Sequence, residues 1–267
     1  MNAANPSAAK PLHGQHSVVT GGGRGIGKAI AFELARLGAD VTVMGRDGAV
    51  LAATAEELRK AHGVKVEAIA ADLSVPQAIQ AAFEAAAQRL GAPSILVNNA
   101  GIAHSAPFGK TSLEQWNHLL AVDLTGPFLC IQQVLKPMVA AGFGRIVNIA
   151  STSGLTGCAY VTAYCAAKHG LIGLTRSLAM EVAKTGVTVN AVCPGFTNTD
   201  IVSRSVANIV QKTSRTPEDA LAQLVVHNPQ GRLIEPDEVA ESVGWLCLPG
   251  SRSVTGQSIL IAGGELM

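Results

Sequence analysis

Three polar side chains in the middle of the sequence could together move a proton. Ser151 follows an apolar run, Tyr164 comes thirteen residues later, and Lys168 follows Tyr164 by four. A spacing of four places Tyr164 and Lys168 on one face of a helix. A free phenol releases its proton only at about pH 10, but an adjacent ammonium favours the phenolate and makes the phenol a proton donor at neutral pH. A hydroxyl at a strand end, such as that of Ser151, would then hold and polarise a carbonyl oxygen.

A glycine-rich segment follows the first apolar run of the chain. Its spacing is Gly-x-x-x-Gly-x-Gly, at Gly21, Gly25 and Gly27, and a helical pattern begins there. Glycines let the backbone approach an anion at a helix N-terminus, so the segment predicts a site for the pyrophosphate of a dinucleotide. A tight turn without a ligand is the alternative, which the strand before and the helix after disfavour. Taken one at a time, Ser151, Tyr164 and Lys168 could each have a purely structural role. Their occurrence together in a chain that also carries a nucleotide-binding loop predicts catalysis.

The end of the second predicted strand indicates which dinucleotide is bound. An acid there would bind a ribose 2′-hydroxyl, whereas a 2′-phosphate requires a cation. Asp40 lies at the start of this strand, at the edge of the sheet opposite to the expected cofactor site. Asp47 is expected to cap the next helix. Arg24 and Arg46 could grip a 2′-phosphate together. We therefore favour NADP(H), with NAD(H) possible, and the alternative is that Arg46 is only a solvated charge.

Strands and helices must alternate to bring these side chains together. Seven short apolar runs predict strands: SVVT, VTVM, VKVEAIA, SILVNNA, RIVNIAS, VTVNAVCP and QSILIAGG. Helical patterns lie between them at 25–37, 47–62, 76–90, 113–139, 159–183 and 236–247. This alternation predicts an α/β fold, a doubly wound parallel sheet of about seven strands with helices on both faces. Ligands of such sheets bind outside the carboxyl ends of the strands.

Composition limits the organisation and the partners of the chain. The chain has 267 residues, of which 48% are hydrophobic and 15% charged, with a net charge of +1. We expect a globular protein with a disordered leader at 1–15, one domain at 16–267, and a substrate lid at about 200–231. The balanced charge argues against nucleic acid and against an anionic membrane face. No apolar run reaches the roughly 20 residues of a membrane span.

Cysteine and histidine usage argues against metal and disulfide chemistry. The five cysteines are scattered and form no Cys-x-x-Cys pair, so neither a zinc site nor a disulfide framework is predicted. The seven histidines include no His-Glu-x-x-His motif. We expect no bound metal and a cytoplasmic location.

The ordered set of motifs from about residue 16 to 264 resembles the short-chain dehydrogenase/reductases. The motifs that carry the resemblance are Thr20, the three glycines of the loop, Asp72, Asn98-Asn99-Ala100-Gly101, Ser151, Tyr164, Lys168 and Pro194-Gly195. The resemblance implies a single-domain Rossmann-like fold and an oxidoreductase. It further implies that Tyr164 is the general acid and base, that Ser151 orients the substrate carbonyl, and that Lys168 also binds the nicotinamide ribose.

The same resemblance implies further contacts with the cofactor. Asp72 would contact the adenine amine, Asn98 would brace the cleft, and Thr199 would meet the nicotinamide carboxamide. The complete predicted cofactor set is Gly21, Arg24, Gly25, Ile26, Gly27, Arg46, Asp72, Leu73, Asn98, Ala100, Gly101, Tyr164, Lys168, Pro194, Gly195, Thr197 and Thr199.

One position departs from the family pattern. Where the family usually carries an Asn that supports a water relay to the lysine, this chain has Asp123. If that role uses the backbone carbonyl, catalysis survives the change. If it uses the side chain, proton transfer weakens or its pH profile shifts, because a carboxylate near Lys168 would stabilise the ammonium. Asp123 therefore joins the candidate catalytic residues.

The segments around Ser151 and Tyr164 are most similar to those of 3-oxoacyl thioester reductases and polyketide ketoreductases. The expected substrate is thus a ketone, most simply a 3-oxoacyl thioester of coenzyme A or of an acyl-carrier protein. His104, Leu155 and Phe196, with Ser151 and Tyr164, are the predicted substrate contacts, a mainly apolar set that suits an acyl or ring ketone. Cationic residues at 204, 212 and 215 could meet substrate phosphates, although a solvated lid explains them better.

Two other functions remain open from the sequence. An NAD(P)+-dependent dehydrogenase of secondary alcohols or 3-hydroxyacyl-CoA would use the same residues in the oxidising direction. A nucleotide-sensing protein without turnover is the non-enzyme alternative, against which the intact catalytic set argues.

Small residues at 163, 166, 167 and 170 permit close helix packing, and the resemblance implies a homotetramer completed by a strand near 257–262.

Overall fold

A seven-stranded parallel sheet forms the centre of the molecule, as the alternating pattern predicts. The computed structural model describes residues 10–213 and 215–266. The strands are β1 His16–Thr20, β2 Asp40–Gly45, β3 Val66–Ala70, β4 Ile95–Asn98, β5 Gly144–Ile149, β6 Val187–Pro194 and β7 Ser258–Ile261. They lie in the order β3-β2-β1-β4-β5-β6-β7.

Helices cover both faces of this sheet. Adjacent strand residues such as Val18 and Val19 pack into opposite apolar layers, as the twofold period of a strand requires. The helices are α1 Gly25–Arg36, α2 Gly48–His62, α3 Pro76–Leu90, α4 Leu113–Leu120, α5 Gly126–Ala141, α6 Thr162–Glu181, α7 Asp200–Lys212, α8 Pro217–Val225 and α9 Pro236–Cys247. One apolar layer lies beneath α1, α2 and α9, and the other beneath α3, α5 and the end of α6.

The strand order reverses between β1 and β4, which places a crevice at their carboxyl ends. β1 pairs with β2 on one side and with β4 on the other, and all of these pairs are parallel. Helices leave to opposite faces at such a switch point, so the segments after β1 and β4 separate and form a cleft. The glycine-rich segment and Asn98-Asn99 lie at this edge, and Ser151 follows β5 at the same edge.

The segment before β1 differs from the expected disordered leader. Residues 1–9 lie outside the described part of the chain, but residues 11–14 form a turn. Leu12 is fully buried in the layer beneath α1 and α9, and its N–H donates to the carbonyl of Leu37 at 2.9 Å. Burial of this one side chain outweighs the polar, proline-containing composition that predicted disorder for residues 10–15.

The segment predicted as a lid contains two helices rather than an irregular loop. α7 and α8 span most of it, and Thr216 caps α8 by accepting a hydrogen bond from the N–H of Asp219 at 3.1 Å. The polar composition concealed these helices because both are largely exposed, and only Val202 and Ala220 are buried among their described side chains. The side chains of Arg204 and Lys212 lie outside the described set, and Arg215 is exposed. The lid role stays a prediction.

The helical segment Leu113–Ala141 corrects the expectation that nothing reaches membrane-spanning length. It comprises α4, a π-helical turn at Ala121–Thr125, and α5. By length and composition this one helix could cross a bilayer, with a mean hydropathy of 1.3 over its most apolar window. Its apolar residues Ile131, Val134 and Met138 are buried against the sheet. A helix that covers a large core has the same composition, so the finding is weak evidence for a membrane span.

The small residues of α6 accommodate neighbours from the same chain. Ala163 and Ala167 are buried against Leu119 of α4. A Cβ on Gly170 would lie 2.9 Å from Cδ2 of Leu124 in the π-helical turn. The close helix packing that the sequence predicts for these residues thus occurs within one chain, and the homotetramer stays a prediction.

Candidate active site

Tyr164 and Lys168 lie together at the start of α6. The ammonium Nζ of Lys168 is 5.5 Å from the centroid of the Tyr164 ring, as the helical spacing requires. Lys168 is only 4% exposed, and Nζ donates a hydrogen bond to the carbonyl of Ile149 at 3.0 Å. This bond fixes the lysine against the carboxyl end of β5, next to Ser151.

Asp123 forms a buried ion pair with Lys168. Its Oδ2 is 3.4 Å from Nζ, and its Oδ1 accepts a hydrogen bond from the N–H of Ile102 at 2.9 Å. Burial disfavours the ammonium, but the attraction of Asp123 and Tyr164 outweighs it and raises the pKa of Lys168. Burial also raises the pKa of Asp123, an effect that Lys168 partly offsets. The lysine therefore stays charged although it is buried.

Gly101 is required by its close approach to this ion pair. A Cβ at this position would lie 3.0 Å from Oδ2 of Asp123 and 3.5 Å from Nζ of Lys168. Any side chain here would crowd the two charged groups. The glycine that ends Asn98-Asn99-Ala100-Gly101 thus keeps space beside the lysine at the mouth of the cleft.

Ser151 lies at the same edge, directly after β5. It is partly buried and precedes the short turn Thr152–Gly154. Its Oγ accepts a hydrogen bond from the N–H of Ser153 at 3.1 Å, which orients the side chain. Since this bond uses a lone pair of the hydroxyl, the O–H stays available as a donor.

The glycine-rich segment is shaped to receive an anion. Gly21 and Gly25 have positive φ angles of 66° and 52°. A Cβ on Gly27 would overlap the carbonyl oxygen of Gly21 and the amide Nδ2 of Asn99. The side chain of Arg24 precedes α1 and does not cap it, and the N–H groups of a first helical turn have no partner within their helix. This cradle fits the pyrophosphate of a nicotinamide dinucleotide.

Thr20 joins the two strands that border the cleft. Its Oγ1 accepts hydrogen bonds from the N–H groups of Asn99 and Ala100, both at 3.0 Å. Asn99 returns a bond from Nδ2 to the carbonyl of Thr20 at 2.9 Å. The ends of β1 and β4 are thereby held at the separation that the cleft requires.

A buried chain of polar side chains supports the cleft from beneath. Asn98 donates from Nδ2 to Oδ1 of Asn148 at 2.9 Å, and Asn148 donates in turn to Oγ1 of Thr175 at 2.9 Å. These bonds link β4, β5 and α6, and all three residues are buried. Sequence reasoning missed Asn148 and Thr175, although an asparagine inside an apolar strand run was a signal that could have indicated a buried partner.

Charged groups gather beyond the ends of β1 and β2. Arg24 is 3.4 Å from Oδ2 of Asp47 and 3.8 Å from Oδ2 of Asp200, a contact that the sequence did not suggest. Asp47 also caps α2 by accepting from the N–H of Val50 at 3.2 Å, as predicted. Arg46 is exposed at the end of β2. The two arginines expected to hold a phosphate are both accessible, and Arg24 is held by carboxylates.

Asp72 lies at the same edge with its carboxylate fixed. Its Oδ1 accepts from the backbone N–H and from Oγ of Ser74, at 2.9 and 2.7 Å. These bonds, with a smaller contribution from Arg46, hold the pKa of Asp72 below its usual range. The carboxylate is exposed and ionised, whereas the neighbouring Leu73 is buried.

The segment after β6 closes the other side of the cleft. Thr197 is buried and donates from Oγ1 to the carbonyl of Gly195 at 3.0 Å, directly after Pro194 ends β6. A Cβ on Gly25 would lie 3.1 Å from the methyl group of Thr199. This segment therefore contacts the glycine loop, and Ile26 of that loop packs against the core.

The predicted substrate contacts differ in their exposure. Leu155 packs against the small cluster that contains Ala150 and Leu171, whereas Phe196 is 40% exposed and His104 is exposed. The structure therefore brings Leu155 close to the site and assigns no contact to His104. Among the described residues, no group of three or more His, Cys, Asp and Glu could hold a metal ion, and all five cysteines are free.

Comparison with known proteins decides the family. The family profile described as short chain dehydrogenase matches residues 15–209. The chain belongs to the short-chain dehydrogenases. It is 40% identical over 97% of its length to a putative ketoacyl reductase of the granaticin polyketide synthase of Streptomyces violaceoruber, covering 94% of that protein. It is 41% identical to the 3-oxoacyl-[acyl-carrier-protein] reductase FabG of Aquifex aeolicus, covering 95% of this chain and 98% of that one.

This short-chain dehydrogenase is also similar to a solved ketoreductase structure and to a dehydrogenase of a hydroxy acid. The crystal structure of a single-residue variant of the actinorhodin polyketide ketoreductase with NADPH superposes with a TM-score of 0.90 at 38% identity, covering 94% of this chain and 97% of that one. A D-beta-hydroxybutyrate dehydrogenase of Cupriavidus necator is 39% identical over 92% of this chain and 95% of its own length. The short-chain dehydrogenase described here is thus an oxidoreductase with a Rossmann-like fold, as the resemblance implied.

Proposed function

We propose that this short-chain dehydrogenase reduces a ketone to a secondary alcohol with NADP(H). The observation that carries the proposal is the convergence of Tyr164, Lys168 and Ser151 at one edge of the sheet, beside an anion cradle. A proton donor, a polarising hydroxyl and a nucleotide site are the parts that carbonyl reduction requires. The match to a ketoreductase with NADPH supports both the reaction and the cofactor.

The residues of this chain divide the reaction between them. Ser151 donates its O–H to the carbonyl oxygen and polarises the bond. A nicotinamide cofactor, when bound in the cleft, would supply the hydride for the carbonyl carbon. Tyr164 gives its proton to the oxygen, and Lys168 stabilises the phenolate that remains. Lys168 is buried and held by Ile149, so it offers this charge at a fixed position.

The substrate class follows from the relatives and from the cleft. The two relatives of highest identity given above are named for ketoacyl and 3-oxoacyl substrates. We therefore propose a 3-oxoacyl thioester, carried by coenzyme A or by an acyl-carrier protein. Leu155 and the partly exposed Phe196 would contact the acyl chain or ring.

This reaction is tested by following NADPH absorbance with acetoacetyl-CoA and with a cyclic ketone. We expect NADPH to be consumed in proportion to the ketone, with a secondary alcohol as product. NADPH that binds tightly but is never consumed with any carbonyl would contradict reduction and would favour the nucleotide-sensing alternative.

Oxidation of a 3-hydroxy acid is the second candidate, and the identity to a D-beta-hydroxybutyrate dehydrogenase favours it. The same Tyr164 would then accept a proton instead of donating one. Comparing kcat/KM for acetoacetyl-CoA with NADPH and for 3-hydroxybutyrate with NAD+ separates the two candidates. Faster oxidation of the free acid would replace our proposal with this one.

Arg46 is expected to set the preference for NADP(H). It is exposed at the end of β2, near the ionised Asp72, where the 2′-phosphate would lie. Charged hydrogen bonds of this kind contribute up to about 3 kcal/mol, or roughly 100-fold. We expect Arg46→Asp to lower the ratio of kcat/KM for NADPH over NADH by that factor. The control is Arg252→Asp, an exposed arginine in a turn before β7, and an unchanged ratio in Arg46→Asp would refute the assignment.

Localisation and assembly are proposals that the site does not depend on. We propose a cytoplasmic homotetramer that acts on a small-molecule substrate. The edge strand β7 exposes Leu260, and α6 exposes Met180 at 81%, so both elements present apolar surface.

A further inference from the structure

The side chain of Asp123 bridges three elements of the active site. It projects from the π-helical turn, and its two oxygens reach Ile102 in the loop after β4 and Lys168 on α6. It is fully buried, and Oδ2 has no hydrogen-bond partner in the described residues apart from the lysine ammonium at ion-pair distance. Asp123 therefore contacts the active-site lysine through its side chain, and not through its backbone alone.

We propose that the carboxylate of Asp123 is a positioning residue that offsets the charge of Lys168 and keeps Tyr164 protonated to higher pH. This inference rests on the proposed function, because Tyr164 must hold a proton in order to reduce a ketone. An asparagine of the same shape would accept the bond from Ile102 but would leave the ammonium uncompensated.

The size of this effect follows from the distances. Oδ2 lies 3.4 Å from Nζ, which lies 5.5 Å from the ring centroid, so the carboxylate is no more than about 9 Å from the phenol ring. Two like charges at that separation in a protein repel by about 1 to 2 kcal/mol, which corresponds to roughly one pH unit. The negative Asp123 thus opposes formation of the phenolate, while Lys168 favours it.

Other titratable groups near the pair do not reverse this sign. His118 of α4 acts on Asp123 only weakly, because it is exposed and solvent screens its charge. Burial raises the pKa of Cys193 on β6 to about 11, so its thiol stays neutral beside Lys168. Tyr164 as well as Asp123 raises the pKa of Lys168, and the attraction of Tyr164 grows when the phenolate forms, so the ammonium accompanies the phenolate with or without the carboxylate.

The chain offers a direct spectroscopic test, because it has only two tyrosines, Tyr160 and Tyr164. In a Tyr160→Phe background the near-ultraviolet tyrosinate band reports Tyr164 alone. We expect Asp123→Asn in that background to develop the band at a pH roughly one unit lower, a tenfold change in the ionisation equilibrium. Coincident titrations of the two proteins would overturn the proposal. Asp123→Ser, also neutral, replaces Asp123→Asn if circular dichroism shows that the asparagine variant is unfolded, and the same two outcomes apply.

Kinetics supply a second readout. With NADP+ and a secondary alcohol, the alkaline rise of kcat in Asp123→Asn should move to lower pH by about the same amount. A pH profile of kcat whose alkaline rise stays at the wild-type pH would count against the proposal. Since the tyrosinate titration uses the protein without substrate, a shifted band in a chain that reduces no ketone would refute the proposed function and leave the role of Asp123 intact.

Discussion

Replacing Tyr164 by phenylalanine should lower kcat/KM for ketone reduction by roughly 10²- to 10⁴-fold, the range that positioned general acids contribute. The change removes only the hydroxyl. The ring would keep its contacts in the cluster that contains Leu119 and Ala167, so the fold and the nucleotide cleft should persist. The measurements are steady-state rates with a 3-oxoacyl thioester and a fluorescence titration with NADPH, in which the dissociation constant should change little.

Tyr160 provides a matched control for this variant. It lies four residues before Tyr164, is 64% exposed and has a positive φ of 67°, outside α6. Tyr160→Phe removes the same hydroxyl from the same chain and should leave kcat/KM within about twofold. If Tyr164→Phe kept full activity, another group would have to supply the proton, and the proposed mechanism would be wrong.

Adding one methyl group at Gly27 should abolish tight binding of the nucleotide. The new Cβ would overlap the Gly21 carbonyl oxygen and the Asn99 amide, and would lie 2.8 Å from the Gly21 carbonyl carbon. Backbone atoms cannot move aside as a flexible side chain can, so the loop must change shape. We expect Gly27→Ala to weaken NADPH binding by at least roughly 100-fold and to lower the free energy of unfolding by about 1 to 3 kcal/mol. Calorimetric titration and urea denaturation measure the two effects.

Gly173 serves as the control for this substitution. It lies in α6, and a Cβ there would meet no heavy atom of the described residues within 4 Å beyond its chain neighbours and the adjacent backbone of its own helix. Gly173→Ala should leave NADPH affinity unchanged and should raise stability by up to about 1 kcal/mol, since alanine favours the helix. Wild-type affinity in Gly27→Ala would show that the nucleotide does not depend on the packing of this turn.

Much of the fold could be predicted because its signals are local. Seven β-branched runs became seven strands, and the bounds of α3 and α9 coincide with the predicted ranges. The proximity of Tyr164 and Lys168 was predictable because helical periodicity alone sets it. The resemblance added what periodicity cannot supply, which is the assignment of roles to single residues such as Ser151.

The missed features depend on contacts between residues distant in sequence. Leu12 is buried because it packs into the apolar layer beneath α1 and α9, and nothing in the Pro-containing segment before β1 indicates that contact. Asn148 and Thr175 are paired only when β5 and α6 pack. Asp200 meets Arg24 only once α7 returns to the glycine loop. In each case a tertiary contact supplies the free energy that fixes the residue in its position. The sequence pattern near the residue does not encode that contact.

The π-helical turn at Ala121–Thr125 sets the rotational phase between α4 and α5. A wider turn accommodates an extra residue, and each residue of a helix advances its direction by about 100°. Deleting one residue here would therefore swing Leu119 away from α6 or turn Asp123 toward solvent. Loop grafts and chimaeras between such enzymes should exchange Leu113–Ala141 as one unit, because a crossover within it would leave one of the two faces misaligned.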